Sequence, residues 1–209
     1  MTSTAAKKGN YHHGDLANAL LDAVAGIVSE KGVSGVSLRE AARRAGVSHS
    51  APAHHFGDKE GLLSALAEQG FGHLASAMIS AVAAAQDETD LDQMKAMGKA
   101  YVKFAAEYPA HFDVMFRSGL NKSAHETLHN AADATFMVLQ SKTEDLVTKG
   151  MFPGVDPRDL AVFFWSLVHG LASLWVDGSI PQVVADKTLD ELIEAALISV
   201  LGFAEDLWT

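Results

Sequence analysis

The chain has 209 residues, of which 48% are hydrophobic, with no cysteine and a formal net charge of −10. That apolar content supplies a sizeable core and excludes disorder of the whole chain. The lack of thiols excludes a disulfide framework, thiolate metal centres, iron–sulfur clusters and cysteine nucleophiles, and it fits a reducing cytoplasm.

The opening residues Met1 to Asn10 carry two lysines but no apolar run behind them, which is not the pattern of a secretory signal. The acidic total is unevenly spread. Residues 1–60 hold seven Lys/Arg against six Asp/Glu, and the remainder carries a balance of −11. Five of the ten histidines also fall in residues 1–60. A neutral-to-basic head on an acidic body keeps a nucleic-acid partner open despite the net charge.

Taken in chain order, the pattern is helical almost throughout, and no strand is predicted. Leu16, Leu20, Val24, Ile27 and Val28 recur at helical spacing, and Lys31-Gly32 ends that helix. Ser37-Leu38-Arg39-Glu40 is a capping box, with Ser37 serving the Glu40 amide and Glu40 reaching back to Ser37. Gly46 stops this second helix, and Ser48 is predicted to cap a third that closes near Phe56-Gly57. Asp58 caps a fourth, with Leu63, Leu66, Gly70, Leu74 and Met78 on one face. After the polar break Asp87–Asp90, a stripe of Met94, Met97, Tyr101, Phe104 and Tyr108 runs to Pro109. A short helix covers His111 to Phe116, and a longer one runs roughly from Ser123 to Lys149. Gly150, Pro153-Gly154 and Pro157 form a loop.

Leu160 to Val176 is apolar except for Ser166, His169 and Gly170. It is short for a membrane span of roughly 20 residues, and Asp159 and Asp177 bracket it, so it is read as a buried helix. Asp177-Gly178 and Pro181 break the chain before a last helix bearing Leu189, Leu192, Ile193, Ala196, Leu197, Val200 and Leu201.

Residues 37–60 carry the functional signal: two short helices around a glycine turn, the sequence form of a helix-turn-helix. Ala41, Ala42 and Ala45 let the helices approach, and Val47 fills the space between them. In such units the second helix enters the major groove. His49, Ser50 and Ala51, with His54 one turn on, are the candidate base readers. Arg43, Arg44 and Lys59 are candidate phosphate contacts. Ser37, Ser48 and His55 complete the candidate DNA-binding set.

Here the chain resembles the TetR family of bacterial transcriptional regulators. The matching residues are Gly46-Val47-Ser48, His55-Phe56 and Asp58-Lys59-Glu60 with Leu62-Leu63, together with the Tyr11-His12-His13-Gly14-Asp15 lead-in. Trp165…His169-Gly170 resembles the body of the WHG-type subgroup. Pro52-Ala53 departs from the family pattern, in which a tyrosine often precedes the His-Phe pair, so that phosphate contact is not carried over. The resemblance implies an all-α protein with a three-helix DNA-binding head (1–58) and a larger helical effector-binding and dimerisation body (59–209). It implies a cytoplasmic homodimer on a palindromic operator, more often a repressor, released by a small molecule.

The apolar surface of 158–176 and Ile198 and Phe203 in the last helix support pairing with a second copy through 158–176 and 187–207. Candidate effector-lining residues are Tyr101, Phe104, Tyr108, Phe112, Met115, Phe116, Met137, Trp165, His169 and Trp175, which suit an apolar or aromatic ligand. No cofactor and no resident metal are expected, and no enzyme activity.

Two rival readings stand beside this one. His125-Glu126-Thr127-Leu128-His129 matches the His-Glu-x-x-His zinc-hydrolase signature, although no third ligand is evident. The other rival is a helical interaction protein that does not read DNA.

Overall fold

A computed structural model describes residues 13–208, and the side chains of residues 16–201 apart from Ala124. Tyr11 and His12 of the lead-in and the side chain of Phe203 lie outside the described residues. All regular structure among the described residues is helical. The chain forms two compact units, divided between Leu66 and Ala67.

The first unit holds α1 (His13–Lys31), α2 (Leu38–Ala45), α3 (Ala51–Phe56) and the first turns of α4 (Lys59–Ala84). The division therefore falls inside a helix rather than at residue 58, because the start of α4 still makes its contacts within the head. The Ser37 hydroxyl accepts from the Glu40 amide at 3.2 Å, as the capping box requires. The return bond from Glu40 is not made. Its carboxylate instead takes two 2.8 Å bonds from Arg43 and one of 3.3 Å from Arg44, since a guanidinium offers stronger, charge-assisted donors than a neutral amide.

Gly46 ends α2 in the left-handed region (φ 68°, ψ 29°), and the Val47 amide reaches back to the Ala42 carbonyl at 3.0 Å. This is a Schellman ending, which favours glycine because a Cβ would be strained there. The third helix starts two residues later than its sequence suggests. Ser50, not Ser48, precedes it, and Pro52 sits in its first turn, where a missing amide costs little. At the head of α4, Asp58 Oδ1 accepts from the Gly61 amide at 2.8 Å.

The second unit comprises the rest of α4, α5 (Asp90–Glu107), α6 (Pro109–Phe116), α7 (Glu126–Thr148), α8 (Pro157–Val176), α9 (Ser179–Val183) and α10 (Leu189–Trp208). The helix expected from Ser123 begins instead as a 3-10 turn, Lys122–Ala124, with His125 at the N-cap of α7. The break at Asp177-Gly178 is followed at once by α9, which contains Pro181.

α5 packs against α8 and α10, and α8 also packs against α7. The face that α8 buries is Leu160, Ala161, Phe164, Val168 and Ala172. Phe163 and Leu174, by contrast, are exposed. An all-apolar helix offers no polar side to mark its outer face, so periodicity alone does not say which face meets the core.

Lys142 on α7 is buried and binds Asp90 Oδ1 and Gln93 Oε1, each at 2.8 Å, which ties α7 to the start of α5. Gly98 permits the closest approach around α5: a Cβ there would lie 3.1 Å from Leu197 and 3.3 Å from Val168. Gly72, by contrast, is exposed, with nothing within 4 Å of its Cβ position. Gly98→Val is expected to destabilise the fold by about 1–3 kcal/mol through overpacking, while Gly72→Ala adds about 0.5–1 kcal/mol of helix propensity. Urea unfolding of the two variants beside the wild type measures both signs.

Candidate nucleic-acid interface and body cavity

In the head, the Gly46 turn leaves the N-terminal end of α3 at the surface. His49, Ser50, Ala53 and His54 are exposed, as is Ser48, whose hydroxyl meets that of Ser50 at 3.3 Å. Ala51 was expected to reach a base edge, but it is buried together with Pro52, because successive helical positions turn by about 100° and these two face the head interior. His55 is partly covered, and its ring lies 5.6 Å from that of His54 and 6.1 Å from Phe56. Lys59 Nζ donates to the Ser34 carbonyl at 3.4 Å. Ser37 is exposed at the start of α2, occupied as its cap.

The adjacent arginines take different roles. The Arg43 side chain is 65% exposed, while that of Arg44 is 19% exposed. Arg44 engages both carboxylate oxygens of Glu30 on α1, at 2.8 Å for the Nη1 contact, and also Glu40. Its donors are thus spent holding α2 to α1, and Arg43 presents the freer cation. The Arg43 guanidinium, helped by that of Arg44, holds the Glu40 carboxyl down to about 2. Glu40 therefore stays ionised, and the clamp persists, through the physiological range.

In the body, residues from α4, α5, α6, α7, α8 and α10 enclose a cavity of about 410 Å³. That is a volume suited to a small organic ligand. Of the residues expected to line it, Tyr101, Phe116 and Trp165 do so. Phe104 and Tyr108 instead line a separate cleft of about 370 Å³ between α4 and α5. Phe112 and Met115 are core residues packed behind the cavity wall. Met137 is half-exposed on the outside of α7, and its neighbour Phe136 is the residue that turns inward. Trp175 is partly covered and outside the lining. The sequence reading missed Phe71, Met78, Leu139, Val168, Leu197 and Lys122. Met94 and Met97 belonged to the predicted α5 stripe, but nothing local marked them as wall rather than core.

Two wall residues, Tyr101 and Trp165, are hydrogen-bonded in a chain with His169, which was expected in the lining but is outside it. Trp165 Nε1 donates to Tyr101 Oη at 3.1 Å, and that oxygen lies 2.8 Å from His169 Nδ1. The indole can only donate, so the Tyr101 oxygen accepts from Trp165, and the tautomer of His169 sets which partner donates in the second bond. Burial, with Arg117 and Lys122 nearby, pushes the His169 pKa below its usual value. Burial likewise holds the Tyr101 phenol far above its ordinary range. Phe112 and Phe116 pack against the imidazole at 5.3 and 4.8 Å.

The zinc-hydrolase spacing does not form a ligand pair on one helix. His125 is at the N-cap (φ −122°, ψ 99°), outside α7, and His129 Nε2 faces Asp133 at 3.4 Å. Among the described residues no group of three or more His, Asp or Glu converges as a metal site.

Comparison with known proteins bears on both sites. Residues 20–66 match the family model described as "Bacterial regulatory proteins, tetR family". Residues 94–200 match "Tetracyclin repressor-like, C-terminal domain". The HTH-type transcriptional regulator BetI of Serratia proteamaculans (strain 568) is 35% identical over 78 residues, which span 37% of this chain and 39% of that protein. A protein with unknown function from Rhodococcus sp. RHA1 aligns over 97% of this chain and 100% of its own, with 29% identity and a TM-score of 0.79. AibR, solved in complex with isovaleryl coenzyme A and operator DNA, shares the fold at 17% identity and a TM-score of 0.68, covering 88% of this chain and 97% of its own.

A folded-state preference for neutral His169 adds stability above the unfolded histidine pKa of about 6.5, and that stability is lost as pH falls from there toward the lower folded value. The melting-temperature advantage of the wild type over His169→Asn is therefore expected to shrink between about pH 7.5 and pH 5.5. Paired thermal melts across that range check it, and a constant difference would contradict the neutral assignment.

Proposed function

Since this chain belongs to the TetR family of bacterial transcriptional regulators, we propose that it represses transcription as a homodimer on a palindromic operator and leaves that operator when an effector enters the body cavity. The reading places it in the cytoplasm, with the DNA. The observation that carries it is the exposed end of α3. His49, Ser50 and His54 are exposed at the surface of a head whose other helices are locked by the Schellman turn and the Arg44 clamp. In helix-turn-helix units this is the end that meets base edges. Arg43 and Lys59 supply the phosphate contacts, which position the head without specifying sequence.

The outer face of α8 supports the dimer. By length and composition that helix could cross a membrane, but its inner face is committed to α5 and α7. Phe163 is 53% exposed, and Val162, Leu174 and, on α10, Ile198 are about half-exposed. Exposed apolar side chains of this kind suggest an interaction site, and their placement on two long helices suits a twofold four-helix contact. The two heads would then address half-sites about 34–36 Å apart.

The cavity supplies the release step. α4 contributes Phe71, Leu74 and Met78 to its wall, and the same helix begins at Lys59, directly after the DNA-facing segment. A ligand that binds more tightly when α4 is in its DNA-free position shifts the population away from the operator. The operator complex of AibR with isovaleryl coenzyme A supports the reading that one such fold takes both kinds of ligand.

Selection of bound sequences from random duplex DNA at two salt concentrations tests the proposal. A palindrome with steeply salt-dependent binding is expected, and no enrichment at either salt would remove the operator reading. His49→Ala should alter the recovered sequence. Arg43→Ala should weaken binding to all sequences and reduce the salt slope by about 1. For the dimer, Phe163→Asp is expected to give monomers by analytical ultracentrifugation, with loss of operator binding; a dimer that survives would place the interface elsewhere.

A further inference from the structure

The body holds nine of the chain's Lys and Arg residues among twenty Asp and Glu. Six of the nine reach a carboxylate. Lys95 pairs with Asp92, Lys99 and Lys103 with Asp190, Arg117 with Asp113 and Asp177, and Lys142 and Lys149 with Asp90 and Asp145. Among the described residues, Lys122, Arg158 and Lys187 are the three without one. Two of those three, Lys122 and Arg158, line the cavity. In so acidic a body, two of the three cations left unneutralised thus face the same cavity. The acid on the same wall, Asp133, faces His129 at 3.4 Å.

Lys122 is the better placed of the two. Its Nζ lies 5.1 Å from the Phe71 ring centre and 5.0 Å from that of Phe116, and the two rings meet edge to face at 5.5 Å. Ring faces attract a cation and hold it in position, but they do not neutralise it. A partly buried charge without a counter-charge is costly, and burial lowers the Lys122 pKa below the usual lysine value. An anion beside Nζ would remove that cost. The rest of the wall, including Met94, Met97, Leu139 and Leu197, is apolar.

We infer that the effector is an amphipathic organic acid, its carboxylate seated against Lys122 with Arg158 adding positive potential, and its hydrocarbon body against the methionine and leucine wall. This rests on the effector reading of the cavity, and it narrows that reading from any apolar or aromatic ligand to an anionic one. A charge-assisted pair of this kind gives the site a preference for the acid over an uncharged ligand of the same shape.

The test pairs each acid with the alcohol of the same carbon skeleton: octanoate with octan-1-ol, and 4-phenylbutanoate with 4-phenylbutan-1-ol. Binding to the full chain is measured by calorimetry near pH 7.5, without DNA. At least one acid is expected to bind about tenfold or more tightly than its alcohol. Lys122→Met should erase that preference, Lys122→Arg should retain it, and Lys187→Met, at the unpaired lysine away from the cavity, should leave it unchanged. Circular dichroism melts establish that each variant is folded. Equal binding of acid and alcohol, no binding of any of the four, or a preference that survives Lys122→Met overturns the inference. Because this readout contains no DNA, the two readings fail separately: acid binding that does not release the operator leaves the charge assignment standing and overturns the release step.

Discussion

The body depends on how α5 is fastened to α8. Tyr101 is buried, and its single oxygen accepts the Trp165 indole proton and also hydrogen-bonds His169 Nδ1. A buried phenol left without partners would be expensive, so this pairing sets both the rotation and the register of the two helices. Gly98, one turn earlier on α5, removes the side chain that would hold α8 and α10 apart. Small residue and polar lock act together on one face. With α5, α8 and α10 set, the space left toward α4 and α7 cannot close, and it becomes the cavity. Its aromatic and polar lining is therefore the inner side of a structural joint as well as a binding wall.

α8 has to satisfy two environments. Its inner residues Ala161, Phe164, Val168 and Ala172 complete the core, while Phe163 and Leu174 remain outside. A monomer gains nothing from an apolar outer face, and the proposed twofold contact gives that face a use. The same helix thus connects the ligand, through Trp165 and Val168, to the surface on which the second copy would sit. A ligand that shifts α8 would then be felt at the interface, in addition to any effect through α4.

Charge placement separates the two units in a similar way. In the head, Glu30 and Glu40 consume Arg44 but leave Arg43 exposed, although the two arginines are consecutive. One cation stiffens the helix pair and the other remains for phosphate. In the body, acids pair with six of the nine cations, while Lys122 and Arg158 line the cavity without a carboxylate partner. Net charge alone would have argued against both DNA and an anionic ligand; the local arrangement favours both.

Sequence alone determined the helical class, the long helices to within a few residues, the Ser37 and Asp58 caps, the Gly46 turn and the family resemblance. Periodicity, caps and turn glycines act within a few residues of themselves, so they are legible in a linear string. Where two local signals competed, the reading slipped. Ser48 looked like a cap, but Pro52 set the start of α3 at Ala51. Tertiary structure decided what depends on distant partners. Arg44 is a clamp because α1 brings Glu30 to it, and Ala51 is buried because the head closes over it. Phe136 rather than Met137 faces the cavity because α7 is rotated by its contacts with α8. Lys122, which no motif marks, faces the cavity between Phe71 from α4 and Phe116 from α6, which the fold brings beside it. A helix's local pattern specifies that it has faces, but which face meets a core, a cavity or a partner is set by side chains many residues away.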